Sequence, residues 1–70
     1  MKTYYVLIDR KKWDGNPEYD QLLGIIEDNH NVLLYTKIDG VMILTEVDFC
    51  RQFNKGKITS RRFELFTVEV

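Results

Sequence analysis

The sequence predicts a small α+β domain: an antiparallel sheet of four or five strands with one short helix, about residues 46–55, before the last strand. Three observations predict it. β-Branched and aromatic residues fill the runs 3–9, 32–44 and 63–70. The pair Asp39-Gly40 interrupts the middle run with the strongest short-range hairpin signal. Residues 45–56 carry helix signals at both ends of an apolar stripe.

The elements follow in chain order. "TYYVLID" at 3–9 is apolar at every position from Tyr4 to Ile8, which predicts a strand buried on both faces and central in the sheet. "RKKW" comes next, and Asp14-Gly15-Asn16-Pro17 is dense turn chemistry. Segment 17–28, "PEYDQLLGIIED", carries two signals. Asn16 as a cap, Pro17 at the first turn and Tyr19, Leu22, Leu23 and Ile26 on one face favour a helix. Gly24, the pair Ile25-Ile26, and Glu27-Asp28 at the unfavourable end of the helix dipole favour a strand. The strand is the preferred reading, turning through "DNHN" into "VLLYTKI". A helix there would make the order βαββαβ, a ferredoxin-like arrangement.

After the hairpin, Thr45 and Asp48 stand in capping-box register. Phe49, Cys50 and Phe53, with Val47, form the stripe expected to face the core, and Gly56 sits where a helix-ending glycine belongs. Val41, Ile43, Thr45, Val47 and Phe49 also alternate. If the strand ran on through them, the fold would be a small SH3-like barrel. In "RFELFTVEV" Phe63 and Leu65 point one way and Phe66, Val68 and Val70 the other, which requires a bulge or a strand buried on both faces.

Seventy residues support a single domain, 1–70, with a thin core. The one cysteine, Cys50, permits no internal disulfide, which suits a reducing, cytoplasmic setting. The apolar run near the N-terminus is too short for a signal-peptide core or a membrane span.

Composition argues against catalysis. His30, the only histidine, lies between Asn29 and Asn31 in an expected turn, and Cys50 lies on the presumed core stripe. One cysteine with one histidine falls short of a metal site of that type, so no metal or cofactor is expected. "NKGKIT" shares Gly-Lys with a phosphate-binding loop but lacks the upstream glycine, and Ile58 intervenes before Thr59. The carboxylates are scattered over strand ends and turns, without the spacing of a calcium loop.

Charge is unevenly placed although the net charge is −1. Residues 14–50 carry eight acids against Lys37 alone, whereas 51–62 carry five bases and no acid. Two binding functions follow as expectations. One is a protein partner, or a second copy in a homodimer, because several strands look apolar on both faces and one helix can cover one face only. That suits an inhibitor or adaptor of a larger cytosolic machine, a role fitting a phage or other mobile element. The other is nucleic-acid binding through Arg10, Lys11, Lys12, Lys57, Arg61 and Arg62, with Trp13 to stack on a base. A pI near 5.7 weighs against it.

Overall fold

A computed structural model describes residues 2–28 and 37–69. The elements are β1 (Thr3–Asp9), α1 (Arg10–Trp13), α2 (Tyr19–Asp28), β2 (Val41–Thr45), α3 (Glu46–Asn54) and β3 (Phe63–Glu69). Among the described residues they make an α+β fold with one three-stranded antiparallel sheet in the order β2-β1-β3.

The apolar run of β1 takes the centre, as its composition requires. Val6, Leu7 and Ile8 are buried to within 1% of completely. Both neighbours run antiparallel to β1, with Val6 opposite Ile43 on one side and Phe66 on the other. β2 and β3 therefore share a direction, and α3 carries the chain across β1 between them in a split β-α-β unit.

The preferred strand at 17–28 is wrong: α2 is helical. Asn16 Oδ1 accepts from the Glu18 amide at 2.8 Å and starts the turn that leads into it. Leu22 and Ile26 are buried against Val6, Ile8, Trp13 and Val68, with Tyr19 and Leu23 packed beside them. A mid-helix glycine costs about 1 kcal/mol and β-branching a few tenths. Each large apolar side chain buried on the sheet returns roughly 1.5–3 kcal/mol, so tertiary packing overrides local preference.

That helix removes the strand expected at 17–28 and puts a helix there ahead of the one expected at 46–55. The expected strand before Asp39-Gly40 keeps only Lys37 and Ile38 within the described residues, and both lie in a turn. Its remainder, 32–36, lies outside them, as does His30. The open sheet carries helices on both faces, which is not the arrangement of a small barrel.

Helices on both faces also remove the expectation that one sheet face lies bare. α1 and α2 cover the face of Tyr4, Val6, Ile8, Val41, Ile43, Phe66 and Val68. α3 and the loop after it lie on the face of Tyr5, Leu7, Met42, Leu44 and Phe63. β3 runs in unbroken register from Phe63 to Glu69 opposite β1, so its switching apolar pattern reflects burial on both faces and not a bulge.

α3 is built as its cap signals predict. Thr45 Oγ1 accepts from the Asp48 amide at 3.3 Å. At the other end Gly56 takes φ +74°, and its amide donates to the Phe53 carbonyl at 3.0 Å.

Candidate interaction groove and the basic segments beside it

The stripe on α3 meets the sheet through one residue only. Phe49 stacks on Tyr5 with ring centroids 4.2 Å apart and planes 9° from parallel. Phe53, one turn on, lies 5.9 Å from Phe49 but is 56% exposed. Val47 is 67% exposed, and Cys50 carries an exposed free thiol. The expectation that Cys50 and Phe53 face the core is therefore corrected. The reason lies in where the helix sits: α3 packs mainly over β2 and β1, and on that face of β3 Phe63 is buried beside Ile58 while Leu65, further along the strand, is less covered. Leu65 of β3 is 45% exposed in consequence.

Between α3 and β3 a groove opens. Phe49 and Phe53 form one wall, Phe63 and Leu65 the other, and Ile58 contributes from the loop between them. Arg10 lines its end. The loop of residues 55–62 borders the groove and carries Lys55, Lys57, Arg61 and Arg62, all exposed, with no acid among them.

The two basic segments do meet. The Arg10 amide donates to the Arg62 carbonyl at 2.8 Å, and Arg10 Nε donates to the Ser60 carbonyl at 2.9 Å. α1 itself is started by Asp9, whose side chain accepts from the Lys11 amide at 3.0 Å. This junction fixes the α1 turn beside the 60–62 turn.

Within the junction the predicted site residues have different roles. Arg10 faces Glu64 at 3.9 Å, and Lys12 pairs with Asp39. Trp13 is 9% exposed and belongs to the core, with Nε1 donating to the Asp39 carbonyl at 2.9 Å. It cannot stack on a base, which corrects its expected role. Arg62 holds its guanidinium 5.2 Å from the centre of the Phe63 ring. Among the described residues Lys11, Lys57 and Arg61 have no carboxylate partner.

Trp13 is held by a turn shaped for it. Gly40 has φ +80°, and a Cβ there would stand 2.6 Å from Trp13 Nε1. The Gly40 carbonyl in turn accepts from the Asp9 amide at 2.8 Å. The Lys12 ammonium, through its hydrogen bond and charge, holds the Asp39 carboxyl below the ordinary aspartate range. The Asp39-Gly40 turn thus anchors α1, and α1 anchors Arg10 at the groove.

Among the described residues no three His, Cys, Asp or Glu side chains cluster as metal ligands, and no helix is long and apolar enough to cross a membrane. Comparison with protein-family models, with curated proteins and with solved structures finds no match to this chain.

Proposed function

We propose that the chain is a small non-enzymatic binding protein that acts through protein–protein contacts, as an inhibitor or adaptor of a larger assembly, and that the groove between α3 and β3 is its contact surface. One observation carries this reading: Phe53 and Leu65 line the same groove while 56% and 45% exposed. A domain of this size gains little by leaving two large apolar side chains side by side in water, whereas an interface gains their burial.

The test is a photo-crosslinking phenylalanine analogue placed at position 53, with the same analogue at Asp20 on α2 as control. In the native cell, position 53 should yield a discrete protein adduct that position 20 does not. An adduct with a second copy of the chain would make the partner a homodimer. No adduct at 53, or equal adducts at both positions, would refute the groove as the contact surface.

A second reading, nucleic-acid binding, is favoured by the junction of the Arg10–Lys12 and Ser60–Arg62 turns. It has lost Trp13 as a stacking group, and Arg10 and Lys12 already face carboxylates. Binding to a mixed oligonucleotide at low salt that falls when Arg61 and Arg62 become Ala would support it; no binding would end it.

A further inference from the structure

We infer that the groove, on the reading just given, receives an extended acidic segment of a partner protein, which adds as a strand to the free edge of β3. The inference rests on a sheet edge that no described strand pairs, a cleft with apolar side chains on each face beside it, and a local excess of positive charge at one end.

The edge comes first. Among the described residues β3 pairs with β1 alone, so one side of its seven-residue backbone has no strand partner. Exposed edges of this kind are commonly blunted by lysine, proline or a bulge. β3 contains neither lysine nor proline, its register with β1 runs without a bulge, and of its two charges Glu64 faces Arg10 and Glu69 stands at the far end.

Clefts flank that edge on both faces. On one face lies the groove with Phe53, Phe63 and Leu65. On the other, Ile26, Phe66 and Val68 line a second cleft together with Thr67 and the carboxylates Glu27 and Glu69, so the occupant's own acids belong at the opposite, Phe63 end of the edge. A strand laid along β3 would send alternate side chains to the two faces, which is how added strands acquire sequence specificity. A docked helix would use the first cleft only.

Charge then selects the occupant. The loop bordering the groove holds Lys55, Lys57, Arg61 and Arg62 without an acid, and none of these four faces a carboxylate within the described residues. A partner that buries apolar side chains beside them gains by bringing carboxylates to that end. A second copy fits less well. Its own β3 would offer the groove-side residues Phe63, Leu65, Thr67 and Glu69, a single carboxylate against four cations. The acidic stretch 14–28 of a second copy is largely helical and so cannot add as a strand.

The experiment selects short random peptides displayed on phage against the immobilised full chain. Enriched peptides should alternate apolar residues and carry Asp or Glu toward one end. A synthetic copy of one such peptide should bind about tenfold or more weakly to the double variant Lys57→Glu/Arg61→Glu, whose folding is checked by circular dichroism. N-methylation of one alternate set of its amides should abolish binding, while methylation of the other set leaves it.

Enriched peptides without carboxylates, or equal binding by both methylated forms, would overturn the inference. So would peptides that copy Phe63–Glu69, because the occupant would then be a second copy. No enriched peptide together with a cross-link from position 53 overturns this inference alone. The absence of both overturns the proposed contact surface as well.

Discussion

Replacing Gly40 by alanine should remove a large share of the domain's stability, and the structure separates the reasons. Gly40 sits at φ +80°, where an L-residue costs about 1–2 kcal/mol. Its new Cβ would also meet Trp13 Nε1 at 2.6 Å and Trp13 Cδ1 at 3.0 Å. The indole is buried and cannot swing aside, unlike Lys12, whose Cδ lies 2.9 Å away on a flexible stem. Moving the indole loses its bond to the Asp39 carbonyl, worth about 1 kcal/mol, and forces repacking of about 1–3 kcal/mol. Gly15 supplies an internal control. It too has positive φ, at +76°, but a Cβ there meets nothing within 4 Å. Gly15→Ala should therefore show the backbone part alone, with the same change in the unfolded chain. We expect the two variants to differ by roughly 2–4 kcal/mol. Domains of this length hold only about 3.5–10 kcal/mol in total, so Gly40→Ala should sit near the edge of folding. Urea unfolding followed by fluorescence reads the difference directly, since Trp13 is the only tryptophan. Two variants within about 0.5 kcal/mol of each other would refute the argument.

Other substitutions test other parts of the structure. The Tyr19 hydroxyl is buried with no hydrogen-bond partner among the described residues, so Tyr19→Phe should raise stability by about 1 kcal/mol, seen as a higher melting temperature; a loss of that size would mean the hydroxyl is satisfied. Lys12 depresses the Asp39 pKa, so the pair's contribution is present above the unfolded-state value and is lost as pH falls through the lower folded-state value. Asp39→Asn should accordingly narrow its stability gap from the wild type as the solution is acidified, and a gap that widens would contradict the pairing. The exposed Cys50 thiol should react with a thiol-specific reagent as fast in native buffer as in urea, whereas a core-facing thiol would be protected.

Much of the frame was legible in the sequence because local and tertiary forces agree there. Tyr4–Ile8 is apolar on both faces, and only the centre of a sheet with helices on both sides accommodates that. Thr45 and Gly56 mark the ends of α3 because the unpaired amides and carbonyls of a helix end demand such residues. Segment 17–28 misled because Gly24 and Ile25-Ile26 report local preference, while the burial of Leu22 and Ile26 decides the outcome. Asn16 was the better signal.

The groove was hidden for a different reason. Phe49 and Phe53 are equivalent in spacing, and nothing local shows that the helix lies over β2 and β1, so that only Phe49 finds a ring to stack on. Trp13 was misjudged in the same way. Flanking charges suggest a surface residue, but the Asp39-Gly40 turn arrives from distant sequence to receive the indole. That the Arg10–Lys12 and Ser60–Arg62 turns meet is likewise a product of the sheet, which sets the end of β1 beside the start of β3.

Binding at the α3–β3 groove is tested most directly by chemical-shift mapping of the isotope-labelled chain with an enriched acidic peptide. Amide shifts should concentrate on Phe49 to Leu65 and along β3, leaving Tyr19 to Gln21 on the opposite face unmoved. Shifts centred on α2, or none at a concentration where the peptide is bound, would contradict the assignment of this groove as the contact surface.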